Sequence, residues 1–334
     1  MNFYYGLGYH FQKYLILLTY FLLNLTLKPK FINVKPLSRV ALNYSASDWN
    51  RTFAYSKFAN QNSKYEAYRI ISASNPPGNG EGVFIKNLLS AKIDFIPMAE
   101  DPRIIEIRNK IFLQYQIFNP QKGDCEIFLR DLNTYTSYQL VSPFQLTGKN
   151  WSFFESLDTF LCVYSFNPLI FLCGEIIENK NIIEFSIIGE NKVNNLKWGE
   201  VGENLIGSIR GGTPFIKLDE RYWISFTHST PYGPNREQHS LGCAVIDLQD
   251  LKIYHLDLTK QRMKLLVDAY GIQKLTNSVY AYLSLGSGHP GRKNEYFITT
   301  YIEFKIQNLL DKCLAQKSIG DLNSKVSELF NKSQ

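Results

Sequence analysis

The stretch Ala99-Glu100-Asp101-Pro102-Arg103-Ile104-Ile105 places two acids, a proline and an arginine directly before a strongly strand-like run. Proline cannot donate a ladder hydrogen bond, so it fits the first residue of a strand or an edge position. On an extended backbone, Asp101 and Arg103 project to one face and Glu100 projects to the other. The stretch therefore predicts an acid and a guanidinium side by side at the mouth of a pocket. A surface Asp–Arg pair at the start of a strand is the simpler alternative.

From about residue 40 the rest of the chain continues as short strand-like runs separated by turn residues. The runs are rich in β-branched and aromatic residues, which favour strands. Strands at this spacing are typical of an all-β sandwich, barrel or propeller, and a propeller accommodates this length by adding blades. We therefore expect a five-bladed β-propeller with C-terminal amphipathic helices. Blade-sized units cover residues 40–90, 100–148, 149–205, 208–260 and 275–305, without a visible sequence repeat.

Two stretches have apolar residues at helical spacing, Thr259–Leu275 and the tail from Ile306 to Phe330. We expect a helix in the first stretch. The tail reads as one or two amphipathic helices, broken near Gly320, that pack on the outside of the β domain. The predicted organisation is an N-terminal apolar segment (1–39), a propeller catalytic domain (40–305) and a helical tail (306–334).

The segment Tyr14–Leu27 is an apolar run closed by Lys28-Pro29-Lys30. A helix that spans a bilayer needs about 20 apolar residues, so this run is short for that purpose. A signal anchor, a signal sequence and a buried N-terminal element all stay open. The first two readings imply the secretory pathway or membrane association through residues 14–27, and the third implies a cytoplasmic protein.

The composition limits the function classes. Of the 334 residues, 45% are hydrophobic and 14% are aromatic, and the net charge of +6 is spread along the chain. Nucleic-acid binding needs positive charge concentrated on one face, so we expect no nucleic-acid partner. The five cysteines form no C-x-x-C pair, which argues against a zinc site. We expect buried free thiols, with a Cys162–Cys173 contact across a hairpin as the alternative.

The turn Lys149-Asn150-Trp151 offers an ammonium, an amide and an indole ahead of an apolar strand. Ammonium and amide groups bind sugar hydroxyls, and an indole covers the apolar face of a pyranose. The alternative is a solvated turn with Trp151 in the core.

The segment Arg210-Gly211-Gly212-Thr213-Pro214 combines a cation with paired glycines. Glycines let the backbone approach a ligand closely, and an arginine beside exposed amides suits an anion. A plain turn between blades explains the segment equally well.

His228 ends a strand in a Thr-His-Ser context, and Arg69 is a charged residue in another strand-like stretch. Both fit either a binding role or a structural one.

Taken in order, the motifs EDPR (100–103), KNW (149–151), RGGTP (210–214) and FTHS (226–229) form a recognisable series. The series resembles the five-bladed β-propeller family of mannoside phosphorylases, glycoside-hydrolase family 130, and related β-mannosyltransferases. The resemblance covers roughly residues 40–305. EDPR is the most specific element, followed by GGTP with an aromatic-x-His strand end about a dozen residues later.

The resemblance implies that Asp101 is the catalytic acid. It also implies that the substrate or phosphate is bound by Arg69, Arg103, Lys149, Asn150, Trp151, Arg210, Gly211, Gly212, Thr213 and His228. The implied partner is an oligosaccharide or other glycan. The co-substrate would be phosphate or a sugar-phosphate or nucleotide-sugar donor, with no cofactor and no metal. The segment 298–303 departs from the family's usual close of the last blade, which leaves the exact reaction open.

The sequence therefore predicts transfer of a mannose-like glycosyl unit with inversion, by a glycosyltransferase or a phosphorylase. If phosphate is the nucleophile, one protein acid is sufficient. A glycoside hydrolase on the same fold is an alternative that needs a second carboxylate, for which Glu155, Asp158 and Glu303 are the candidates. A non-catalytic glycan-binding propeller is the other alternative, and it does not need Asp101.

Overall fold

A computed structural model describes residues 39–41, 50–60, 63–72, 82–144, 150–190, 208–230, 239–258, 266–287 and 296–331. These residues form β-strands almost throughout. The strands are β1 (Arg39–Ala41), β2 (Asn50–Ala59), β3 (Lys64–Ser72), β4 (Gly82–Asn87), β5 (Ile93–Pro97), β6 (Ala99–Ile107), β7 (Lys110–Asn119), β8 (Asp124–Asp131), β9 (Ser137–Val141), β10 (Ser152–Phe153), β11 (Phe160–Phe166), β12 (Leu169–Ile177), β13 (Ile182–Glu190), β14 (Ser208–Gly211), β15 (Ile216–Lys217), β16 (Tyr222–Thr230), β17 (Ser240–Asp247), β18 (Lys252–Asp257), β19 (Leu266–Lys274), β20 (Ser278–Ser287), β21 (Tyr296–Lys305) and β22 (Ser318–Asp321). The helices are a short 3-10 turn at Glu178–Lys180 and two α-helices, Ile306–Leu314 and Ser324–Asn331.

The strands form five antiparallel blades. Blade 1 is β2–β5, blade 2 is β6–β9 and blade 3 is β10–β13. In blade 4, β14 and β15 both pair with β16, and β17 and β18 follow. Blade 5 contains β19, β20 and β21, and β1 pairs with β21 as its outermost strand. Each blade is a small meander, the arrangement that short strands with frequent turns favour.

The blades close into a ring. Blade 1 contacts blade 2 through β2 and β6, blade 3 contacts blade 4 through β11 and β14, and blade 4 contacts blade 5 through β16 and β19. A parallel pairing of β9 with β13 joins blades 2 and 3. Strand β19 of blade 5 contacts β2 of blade 1, which completes the ring. The prediction of an all-β, five-bladed propeller is therefore confirmed, and the first strand of each blade lies innermost.

Three inner strands carry a β-bulge. The register with the neighbouring strand shifts between Phe53 and Ser56 in β2, between Glu100 and Arg103 in β6, and between Ala269 and Gly271 in β19. Ala54 has a φ of 55° and Asp101 has a φ of 50°, the left-handed region that non-glycine residues rarely adopt. A bulge bends the strand and changes the direction of its side chains. The bulges therefore decide which polar groups meet between the blades.

The expected helix over Thr259–Leu275 is wrong where the structure describes it, because Leu266–Lys274 is the inner strand of blade 5. Val267, Asp268, Ala269 and Tyr270 are all buried, so the strand is covered on both faces. A short strand of this kind loses its alternation and cannot be told from a buried helix by periodicity. Residues 259–265 lie outside the described part of the chain.

The C-terminal region packs on the propeller. The helix Ile306–Leu314 buries Leu309, Leu310 and Cys313 against the core of blades 4 and 5. Strand β22 then joins blade 4 beside β18. The second helix, Ser324–Asn331, buries Phe330, whose ring lies 5.0 Å from Phe154 in blade 3. The tail therefore covers the junction of blades 3 and 4.

All five cysteines are free thiols. Among the described residues, none of the helices has the length and apolarity to cross a membrane. The segment Tyr14–Leu27, on which the membrane prediction depends, lies outside those residues.

Phe330→Ala should destabilise the protein by about 3–5 kcal/mol, because it removes a buried ring that packs on Phe154 and on Trp223. Chemical denaturation measures this change in the free energy of unfolding. Phe118→Ala is the matched control, because Phe118 is 50% exposed, and it should change stability by less than about 0.5 kcal/mol. Equal effects of the two substitutions would contradict the proposed docking of the tail.

Candidate functional site

The Arg103 side chain lies where four blades meet. It is only 2% exposed. Its Nε donates a hydrogen bond to the carbonyl oxygen of Gly212, which directly follows β14 of blade 4. Its Nη2 donates to Oδ1 of Asn150 before blade 3 at 2.9 Å, and its Nη1 donates to the carbonyl oxygen of Asp101 at 3.3 Å. The guanidinium also lies over the ring of Tyr270 in blade 5. One buried cation therefore connects blades 2, 3, 4 and 5.

Asp101 contacts this arginine through its backbone carbonyl oxygen, and its carboxylate is held by two other side chains. Gln116, on the neighbouring strand β7, donates from Nε2 to Oδ2 of Asp101 at 2.8 Å. Nη1 of Arg69 in blade 1 lies 3.8 Å from Oδ1. The Asp101 side chain keeps 11% of its surface exposed, so one edge of a largely buried acid is open. A bound molecule can therefore reach this edge of the carboxyl group.

Glu100 does not project away from this group as expected. Its Oε1 accepts a hydrogen bond of 2.8 Å from Nη2 of Arg69, the same guanidinium that faces Asp101. The reason is the bulge in β6, since Asp101 and Pro102 together oppose a single residue of β7. The strict alternation that separates neighbouring side chains is lost at this point. Both acids therefore share one arginine.

A second polar group lies at the junction of blades 4 and 5. We call His228, His239 and Asp268 the histidine–aspartate cluster. Nδ1 of His239 lies 2.6 Å from Oδ1 of Asp268, and Nδ1 of His228 lies 3.7 Å from the same oxygen. The two imidazole rings stack with their centroids 4.9 Å apart. The hydroxyl of Tyr270 donates to Oδ2 of Asp268 at 3.3 Å.

Tyr270 connects the two polar groups, because its ring faces Arg103 and its hydroxyl contacts Asp268. Burial raises the pKa of Tyr270 well above its usual value, and the charges of Asp101 and Asp268 raise it further. Burial lowers the pKa of His228 to about 3; Asp268 opposes this shift, whereas His239 adds to it. Near neutral pH the site therefore presents a neutral imidazole and a protonated phenol.

The glycine segment of blade 4 approaches protein backbone. A β-carbon at Gly211 would lie 2.1 Å from the carbonyl oxygen of Asn150, and one at Gly212 would lie 2.7 Å from that of Phe226. The close approach expected for a ligand is thus made to neighbouring strands. Thr213 is fully buried and accepts a hydrogen bond from the backbone nitrogen of Phe226 at 2.9 Å, so it fixes the segment.

Arg210 lies directly opposite His228 in the β14–β16 register. It is half-buried, and its charge contributes to the low pKa of His228. Arg210 and His228 are thus neighbours across this pair of strands. Lys149 lies outside the described residues.

Trp151 lies in the hydrophobic core of blades 2 and 3 and is 0% exposed. Its ring packs edge-on against Tyr164 and Phe185. Because no face of the indole is open, Trp151 cannot cover a sugar ring in this arrangement, and the expectation of a sugar contact is corrected. Asn150, its neighbour, remains in the site through its contact with Arg103.

The three candidates for a second carboxylate stay predictions. Burial raises the pKa of Glu155 well above its usual value, with the neighbouring charge of Glu106 adding to the shift. Asp158 is exposed. Glu303 lies four residues along β21 from Thr299, which is joined to Asp268 through Ser284 of β20. Asp268 is a further buried carboxyl group, on β19.

His239 and Asp268 are not among the site residues predicted from the sequence. Neither residue belongs to one of the four motifs, and they are 29 residues apart in the chain. Asp268 could have been noticed as a charged residue inside a run that is otherwise apolar. Assigning this run to a helix instead of an inner strand concealed its significance.

Arg103→Lys should lower the free energy of unfolding by about 3–5 kcal/mol. Lysine keeps the charge but cannot reach the acceptors of three blades with one ammonium, so buried acceptors lose their donors. Arg108→Lys is the control, because Arg108 is exposed and donates to a single carbonyl oxygen, that of Asp158. Denaturation of both variants measures the difference, and similar stabilities would refute the role of Arg103 as a tie between blades.

Comparison with known proteins gave matches only at the level of solved structures. No family model matches the chain, and no curated protein matches it. A provisionally assigned glycosidase from Bacteroides thetaiotaomicron shares 12% identity over 82% of this chain and 95% of its own, with a TM-score of 0.48. A provisionally assigned glycoside hydrolase from Parabacteroides distasonis has the same identity and coverage, with a TM-score of 0.47. The β-propeller domain of a protease from Pyrococcus furiosus shares 13% identity over 83% of this chain and all of its own, with a TM-score of 0.33. The resemblance to the mannoside phosphorylases stays a prediction.

Proposed function

We propose that this protein is a carbohydrate-active enzyme that hydrolyses a glycosidic bond, with Asp101 as the proton donor. The observation that carries the proposal is the placement of the Asp101 carboxyl group. It is largely buried, is fixed by Gln116 and faces Arg69, and it lies where the inner strands of the blades converge. A general acid has to be held in this way to protonate a leaving oxygen.

Hydrolysis with inversion needs a second group that activates water on the opposite face of the sugar. Asp268 supports this requirement, because it is a buried carboxylate on the inner strand of another blade. It is connected to Asp101 through Tyr270 and Arg103. We therefore assign the water-activating role to the histidine–aspartate cluster rather than to Glu155, Asp158 or Glu303.

Transfer of a mannose-like unit to or from phosphate is the second candidate. The positive charge of Arg210, opposite His228, favours it, because an arginine and an imidazole together suit a phosphate. In this reaction phosphate takes the place of water, and Asp101 alone supplies the proton. The choice between the two candidates depends on the nucleophile, which can be identified directly.

The experiment is to incubate the protein with β-mannobiose and longer mannooligosaccharides in ¹⁸O-labelled water, with and without phosphate. Hydrolysis gives a free sugar with ¹⁸O at its anomeric carbon in both cases. Phosphorolysis gives mannose 1-phosphate and requires phosphate, and a transferase requires a nucleotide-sugar or sugar-phosphate donor. Glycan binding without turnover under any of these conditions would identify a binding propeller and reject the enzyme.

Asp101→Asn should reduce turnover of an unactivated glycoside about 10²–10⁴-fold, because the amide cannot donate the proton. A nitrophenyl glycoside, whose leaving group needs no proton, should be affected much less. Steady-state kinetics with both substrates measures this contrast, and Asp158→Asn serves as the matched surface control. If both substrates lose activity equally, or if the two variants behave alike, Asp101 is not the acid.

A further inference from the structure

We propose that the histidine–aspartate cluster binds a divalent transition-metal ion. Each residue offers one candidate ligand atom, a ring nitrogen of His228, a ring nitrogen of His239 and a carboxylate oxygen of Asp268, and these atoms all lie within 4.8 Å of one another. Ligand atoms around a tetrahedral ion with metal–ligand bonds of about 2.0–2.2 Å are about 3.3–3.5 Å apart. Small side-chain movements would therefore bring the three atoms onto one ion.

The buried nitrogen of His228 is the observation that points to a ligand. His228 is 4% exposed, and its Nδ1 has no hydrogen-bond partner among the described residues. Oδ1 of Asp268 is 3.7 Å from this nitrogen, which is beyond a hydrogen bond. Buried ring nitrogens are normally satisfied, so this one is positioned for a partner that the described residues do not supply.

The surroundings of the cluster orient its ligands. Tyr270 holds Oδ2 of Asp268, which leaves Oδ1 directed at both imidazoles. The rings of His228 and His239 stack at an interplanar angle of 20°, and Nδ1 of each lies within 4 Å of Oδ1 of Asp268. Metal sites depend on outer hydrogen bonds of this kind, since these fix ligands before the ion arrives.

The ligand set selects the class of ion. Two imidazoles and one carboxylate suit zinc and its neighbours in the first transition row, whereas calcium and magnesium need oxygen ligands. Three protein ligands also leave a fourth position for water. In the described structure His239 shares a hydrogen bond of 2.6 Å with Asp268, so metal binding has to replace this contact. His239 would then carry its ring proton on Nε2.

The arginines near the cluster also have contacts of their own. Arg69 is paired with Glu100 and faces Asp101, and Arg103 donates to Gly212, Asn150 and Asp101. Arg210, opposite His228, is the cation that opposes the ion most directly. We therefore expect moderate rather than extreme affinity.

The test is titration of the chelator-treated full chain with Zn²⁺ by calorimetry and with Co²⁺ by visible absorption. We expect one equivalent to bind, with the cobalt bands of a site made of nitrogen and oxygen ligands. His239→Ala and Asp268→Asn should each weaken binding at least 100-fold, and Tyr270→Phe should weaken it about tenfold. Mg²⁺ and Ca²⁺ at the same concentrations should not displace Co²⁺.

His255→Gln is the matched control, because His255 lies on β18 of the same blade and contacts the hydroxyl of Thr227. It should bind zinc as the unmodified protein does. The proposal is overturned if the unmodified protein binds no zinc, if His239→Ala binds it equally well, or if His255→Gln loses it. Circular dichroism of each metal-free variant shows whether it is folded. If Asp268→Asn is unfolded, the zinc affinity of His239→Ala decides whether the proposal stands.

This metal site does not depend on the proposed hydrolysis, because the test measures binding. If the metal binds through these residues and no glycoside is cleaved, the metal site stands and the enzymatic proposal fails. If glycosides are cleaved and no metal binds, Asp268 acts on water without an ion and the metal proposal fails.

Discussion

The buried guanidinium of Arg103 is the interaction on which the centre of this propeller depends. A ring of blades has little to hold it together at its axis, because each inner strand makes its backbone hydrogen bonds with the next strand of its own blade. Arg103 supplies that connection by donating to the backbone of Gly212, the amide of Asn150 and its own strand at Asp101. Five donors in a planar fork make arginine suited to such a position. The same contacts bring Asp101 to the axis, so stability and the candidate acid have one origin.

The bulges of the inner strands convert a regular sheet into a site. In β6, the extra residue turns Glu100 and Asp101 towards one arginine, and in β19 the bulge at Tyr270 lets its ring face Arg103 while Asp268 reaches the histidines. Functional residues are often held at positions of this kind, where the backbone departs from its regular form. The result is two polar groups joined by a protonated tyrosine.

The fold could be predicted from the sequence to a large extent, because strand and turn signals are local. The runs around Ile111–Phe118 and Ile182–Ile188 are strands in the structure, as their residue types indicate. The candidate site was found only in part. Asp101 and Arg103 belong to one short charged motif, and Arg69 reaches Asp101 from β3 of the neighbouring blade. His239 and Asp268 meet only through packing of blades 4 and 5, and the burial of Trp151 depends on side chains from other strands. Such contacts leave no local pattern.

Two of the three acceptors of Arg103 are backbone carbonyl oxygens. A carbonyl group is present whatever residue occupies the position, so these halves of the contact do not vary when side chains change. Substitution at Gly212 is restricted for a separate reason, since an added carbon would meet the backbone of Phe226. The side-chain part of this junction is the contact of Arg103 with Asn150, so these two positions depend on each other. A search for correlated substitutions among homologues would find the contact with Asn150 and miss the two backbone contacts, although Arg103 joins most of the ring.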